Sequence, residues 1–288
     1  MRTIRRIGPT VPMVMALATV TVWGCTAAEE APESSGRAST VPAQVDTLPS
    51  AVWGRADPPS GKNVAYYAGD EAAVGYLAVP DGEGPFPAVI LIHEWNGLVD
   101  RIRQVADAMA AEGYVALAVD LYSGRVGTNR DENIALMQET QGNTEQTIAN
   151  LDAAARFLRS RNDVTGKVAS MGWCFGGGIA LSYALGGKDH EGTAIFYGSL
   201  VTDPEVLGSI QHEVYGTFAE MDGGIPPEQV EEFVAALQSS GIENDVHVYD
   251  AVDHGFWLRV EENADLREAP ALDAWRRLQA YLGRTLSQ

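Results

Sequence analysis

The chain predicts an α/β fold, a mostly parallel central sheet with helices on both faces. Short apolar runs alternate with longer amphipathic stretches from about residue 61 onward, the order expected when each strand leads into a covering helix. The runs are nearly all apolar rather than alternating, as strands covered on both faces are. Reactive side chains follow directly on several runs, where the loops at a sheet's carboxyl edge line a crevice.

Strands are predicted at Ala73–Val79, Ala88–His93, Val115–Asp120, Lys167–Gly172, Thr193–Tyr197, Val214–Phe218 and Val246–Tyr249. Each is a short run rich in Val, Ile, Leu and Ala bounded by polar or glycine-containing segments. Helices are predicted near Val99–Glu112, Thr144–Arg161, Gly177–Ala184, Pro227–Ser240 and Asp265–Leu286. For Pro227–Ser240, prolines 226 and 227 stand at the start and Gly241 just past the end, the asymmetry helices favour. Val230, Phe233, Val234 and Leu237 give it an apolar stripe at three-and-four spacing. Ser123–Gln141 is polar and irregular, a loop and helix excursion near the carboxyl edge.

Three parts divide the 288 residues. Residues 1–24 open with three arginines and continue through an apolar stretch from about Val11 to Trp23, a charged region followed by a core too short for a membrane span. They end at Val22-Trp23-Gly24-Cys25, which resembles a bacterial lipobox, so Cys25 is the expected lipidation site. Cleavage at a nearby alanine, as in Thr26-Ala27-Ala28, is the alternative. Residues 25–60, rich in Ala, Glu, Pro, Ser and Thr, read as a flexible tether. Residues 61–288 are one α/β domain's worth of chain. The protein is therefore expected outside the cytoplasm, lipid-anchored in the bacterial cell envelope, its only membrane contact the lipid.

The formal charge is −19, about −22 without the three leading arginines. A phosphate backbone needs a basic face, so nucleic-acid binding is not expected. There are two cysteines, and lipidation of Cys25 would leave Cys174 without a partner, which excludes a disulfide scaffold.

The chemistry centres on Gly172-Trp173-Cys174-Phe175-Gly176, directly after the run Lys167–Met171. A strand that turns at once into a helix puts the central residue in strained backbone, and glycines two before and two after let strand and helix approach. Cys174 at the apex offers a thiolate nucleophile. Downstream come Asp222, before Gly223-Gly224, and then His254 in Asp253-His254-Gly255-Phe256. Nucleophile, acid, histidine is the chain order of the α/β-hydrolase triad. Glu94, Cys174, Asp222 and His254 all fall just after predicted strands.

These segments, with Leu91–Leu98 and Asp120-Leu121-Tyr122, resemble the dienelactone hydrolase family, thiol-dependent members of the α/β-hydrolase fold, over most of residues 61–286. The resemblance implies Cys174 as nucleophile, His254 as general base and later acid, and Asp222 as the residue that orients the imidazole. It implies an oxyanion hole from the backbone N–H groups of Phe175 and Trp95, each such donor worth about 3–4 kcal/mol. Glu94 matches an acidic residue that influences the protonation of the resting thiol. Arg125 and Arg259 lie near the family's carboxylate-binding arginines, each with imperfect spacing, and Gly255 replaces a hydroxyl residue often found after the histidine.

Other residues compete for these roles. Asp203 and Asp250 also sit near strand ends, and His212 and His247 are rival histidines, His247 within a strand. Glu94 could instead satisfy a loop backbone, and Asp222 could be a turn residue. His93 beside Glu94 has no spaced partner for a zinc site. The leading reading is a hydrolase of a small ester or lactone working through an acyl-thioenzyme, without a metal or organic cofactor. The alternative is a catalytically weak lipoprotein that holds a small ligand in the same crevice.

Overall fold

The strands take shape because their side chains alternate between two faces that are both covered. In the computed structural model, which describes residues 47–187 and 190–287, eight strands form one sheet. They are β1 Lys62–Ala65, β2 Val74–Ala78, β3 Phe86–Ile92, β4 Val115–Val119, β5 Val164–Trp173, β6 Gly192–Phe196, β7 Val214–Ala219 and β8 Asn244–Tyr249. The order across the sheet is β1-β2-β4-β3-β5-β6-β7-β8. β1 and β2 run antiparallel to their neighbours; every pairing from β4 to β8 is parallel. The α/β expectation holds.

The helices are α1 Ser50–Trp53, α2 Asp100–Ala111, α3 Arg130–Gly142, α4 Thr144–Arg159, α5 Phe175–Gly186, α6 Pro204–Leu207, α7 Pro227–Ser239 and α8 Ala264–Leu286. On β3, Val89 and Leu91 pack into one cluster with Ile102 of α2 and Leu278 of α8. Ala88, Ile90 and Ile92 point the other way, towards Leu151 of α4 and Ile179 of α5. Farther along that second face, Ile195 and Phe218 pack on Phe233 and Leu237 of α7. Two-sided burial is why the strands read as unbroken apolar runs. Among the described residues no helix is long and apolar enough to cross a membrane.

The differences from expectation are local. β1 is an edge strand with mostly exposed side chains, so it carries no apolar signal. The excursion at 123–141 holds a full helix, α3, started by the Asn129 side chain, which accepts a hydrogen bond from the Glu132 N–H at 3.0 Å. Residues 47–60, expected in the tether, belong to the folded part, which begins by Thr47 rather than Gly61. Leu48, Ala51 and Val52 are buried. Gln104 of α2 donates to the carbonyls of Ala56 and Asp57, and Arg101 to those of Ala51 at 3.3 Å and Leu258 at 2.8 Å. A stretch with three core residues and satisfied carbonyls docks instead of floating. The leader, Cys25 and the tether up to residue 46 lie outside the described residues.

Candidate active site

The site is built at the carboxyl edge, from the loops that follow β3, β5, β7 and β8. At the β5–α5 turn, Cys174 has φ 54° and ψ −117°, a conformation costly for a residue with a Cβ. Its glycines are there for space. A Cβ on Gly172 would lie 2.1 Å from the Gly176 carbonyl oxygen, and one on Gly176 would lie 2.2 Å from that of Ile92. The Cys174 N–H donates to the Phe196 carbonyl at 3.0 Å, which ties the strained turn to β6.

His254 and Asp222 meet across the ends of β7 and β8. The His254 Nδ1–H donates to Asp222 Oδ2 at 2.6 Å, and the imidazole faces the same cavity as the Cys174 side chain, which raises its proton affinity. Asp222 is buried, and its Oδ1 accepts from the N–H groups of Gly224 at 2.9 Å and Ile225 at 3.2 Å. Burial works against its charge, yet the bonds from His254 and Gly224 win and hold the carboxyl below its usual range. For His254, burial alone would lower the pKa. The bonds and charges of Asp222 and Cys174 outweigh it and raise the imidazole to about 10. At neutral pH the ring is a cation in contact with a carboxylate and a sulfur. The structure thus brings Cys174, Asp222 and His254 together.

The rivals serve elsewhere. Asp203 accepts from the Glu205 N–H at the start of α6. His247 packs on Tyr249 within β8, and His212 lies before β7 at the opposite edge of the sheet. His93 is buried with both ring nitrogens used: Nε2 accepts from the Leu121 N–H at 3.2 Å, so Nδ1 carries the proton and donates to the Glu94 carbonyl at 2.7 Å. That bond and one from the Tyr122 hydroxyl to the Trp95 carbonyl at 3.0 Å pin the loop carrying Trp95. The Phe175 N–H is the first of α5, where amides have no acceptor within the helix.

Glu94 is buried, and its carboxylate faces an arginine. Its Oε1 lies 3.3 Å from Arg259 Nη2. Burial raises the Glu94 pKa, with the charges of Arg259 and His254 opposing the rise. Gly255 has φ 83°, and a Cβ there would lie 2.4 Å from Arg259 Nη1, so the glycine makes room for the guanidinium. Arg125 does not join them. Its Nη1 and Nη2 pair with Glu139 at 2.9 and 2.8 Å, its Nε donates to the Tyr122 carbonyl, and both partners are about half exposed. Expected near the substrate, it is held outside the Cys174 cavity because α3 presents a carboxylate on its far side.

The cavity beside Cys174 is about 480 Å³, walled by α3, α4, α5 and the segments after β6 and β7. Sequence reasoning missed Tyr197, which follows β6 at the same edge with φ 40° and packs edge-on against His254 at 5.0 Å between ring centres. It is fully buried, and burial with the nearby Glu94 charge pushes its hydroxyl pKa up. The sign available was its place at the end of a predicted strand. Among the described residues no three His, Cys, Asp or Glu side chains converge as a metal site.

The profile of the dienelactone hydrolase family matches residues 74–286. A Methylorubrum extorquens protein provisionally named a carboxymethylenebutenolidase is 29% identical over 225 residues, 74% of this chain and 77% of that one. Protein usf of Aquifex pyrophilus is 30% identical over 213 residues, 72% of this chain and 91% of its own. A solved Klebsiella pneumoniae structure, provisionally named a dienelactone hydrolase, superposes with a TM-score of 0.67 at 26% identity, covering 78% of this chain and 98% of that one. P91, a dienelactone hydrolase-like promiscuous phosphotriesterase from metagenomic libraries, shares the fold with a TM-score of 0.70 at 21% identity, covering 80% and 100%.

Proposed function

Because the chain belongs to the dienelactone hydrolase family and is a hydrolase of ester or lactone bonds, we propose that Cys174 is its nucleophile, with His254 and Asp222 as acid–base and orienting partners. The observation that carries this is the contact of Cys174, strained at φ 54°, with an imidazole itself bonded to Asp222 at 2.6 Å. The Cys174 thiolate attacks the carbonyl carbon, and the carbonyl π pair moves to oxygen, where the Trp95 and Phe175 N–H groups receive it. Collapse expels the alkoxide, which takes the proton from the far ring nitrogen of His254. The neutral imidazole then draws a proton from water as that water attacks the thioester. The second tetrahedral species expels the thiolate and releases the acid, and the proton on His254 restores the starting pair. Asp222 keeps Nδ1 protonated throughout.

Cys174→Ala tests the assignment. It should abolish turnover of a chromogenic short-chain ester while the thermal melt stays near wild type, and Cys174→Ser should keep a residual rate. Wild-type turnover by the alanine variant overturns it. The export reading rests on residues 1–25 alone: three arginines, a short apolar core and Cys25 in a lipobox-like sequence. Fatty-acid labelling and fractionation check it, with Cys25→Ser expected to lose the label. Equal labelling of both forms removes it.

A further inference from the structure

We propose, resting on the hydrolase reading above, that the cavity beside Cys174 takes a neutral, apolar-chain ester and rejects substrates that carry a free carboxylate. The walls carry the inference. Met137 of α3, Ile148 of α4 and Ile179 of α5 line one side, and Leu200, Val201 and Ile225 line the other. Between them the uncharged polar residues are threonines, serines, Gln141 and Tyr197. Among the described residues no lysine or arginine lines this cavity; beside the nucleophile Cys174 it holds Asp222 and His254, paired with each other at 2.6 Å.

The two arginines placed to receive a carboxylate are already engaged. Arg125 is bound bidentately by Glu139 outside the cavity, and Arg259 faces Glu94 at 3.3 Å. An anion entering this space would lose its water and find no free positive partner, which buried charges require. The net charge of −19 adds a repulsive field on approach. An apolar chain meets the opposite conditions, gaining roughly three- to fourfold in kcat/KM for each methylene it buries against these walls.

The test compares p-nitrophenyl acetate, butyrate, hexanoate and octanoate, then sets the heptanoate against the nearly isosteric adipate half-ester, each rate normalised to hydroxide hydrolysis in the same buffer. The expected result is kcat/KM that climbs with chain length and favours the neutral member on the order of a hundredfold. Equal rates, or preference for the half-ester, overturn the proposal. In Glu139→Gln, which releases Arg125, the ratio should not move. A tenfold gain for the half-ester would place Arg125 in reach of substrate and overturn it too. Occupancy is read without turnover by protection of Cys174 from iodoacetamide. Protection by 2-octanone and not by adipate supports the proposal even if no ester is hydrolysed, an outcome that would sink the hydrolase reading alone. Protection by adipate overturns it.

Discussion

Half-buried histidines sit at opposite edges of one sheet and have opposite proton affinities. At the carboxyl edge, His254 is raised to about 10; at the amino edge, His190 and His212 are lowered to about 3 and about 4. Burial pushes all three down. The difference is what each ring faces. His254 has the Asp222 carboxylate and the Cys174 sulfur. His190 and His212 share one neutral hydroxyl, Thr193 Oγ1, at 2.9 Å each, and lie 4.6 Å apart with His190 stacked on Tyr183. The other charge bearing on His190 is Arg159, itself paired with Glu191. One hydroxyl proton serves one acceptor, so Thr193 donates to one neutral ring and accepts from the other. A buried imidazole is thus a structural spacer or a held cation according to whether a carboxylate reaches it.

Asp222→Asn breaks the comparison most directly. Without the carboxylate, His254 should fall towards the amino-edge pair, and its charge in neutral solution should go. Ester kcat should drop by roughly 10³–10⁴, read by steady-state kinetics beside an NMR titration of the ring. Retention of a high imidazole pKa would mean that the sulfur alone holds the cation. The signs of the stability effects also differ. His254 is raised above its unfolded value, so its contribution is fully present below about pH 6.5 and is lost as pH rises through about 10. His190 and His212 are lowered, so theirs is present above 6.5 and is lost as pH falls towards about 4 and 3.

Acid should therefore cost at most about 3 kcal/mol per amino-edge histidine by two pH units below 6.5. Urea unfolding across pH should show a flatter acid limb in His212→Gln than in wild type. An unchanged slope would mean the pair does not titrate as buried neutral rings. Gly255→Ala, beside His254, should destabilise by about 1–2 kcal/mol through its φ of 83° and the crowding of Arg259, with a lowered melting temperature as the readout. The smallest effect is expected from Glu94→Gln. It leaves Arg259 without its counter-charge close to the site, so Cys174 should alkylate a few-fold faster with iodoacetamide and ester turnover should fall. Superimposable alkylation profiles would leave Glu94 as scaffold.

Much of the fold was legible because its signals are short-range. β3, β4 and β7 stand within two residues of the expected runs, and α7 begins at the expected proline. β1 escaped because an exposed edge strand has no core-facing pattern, and α1 because four residues carry too little periodicity. Cys174, Asp222 and His254 could be ranked from chain order alone, whereas Tyr197 could not, since nothing in its neighbours marks it as facing His254.

By itself the sequence determined the strands covered on both faces, the strained turn and the candidate nucleophile, because two-sided burial and the need for glycine beside a tight bend act over a few consecutive residues. Tertiary structure alone decided the charges. Glu94 and Arg259 are 165 positions apart, and Arg125 turns to Glu139 rather than to the cavity. An arginine's partner depends on which carboxylate the packed helices bring within a few ångströms, and no local pattern encodes that distance.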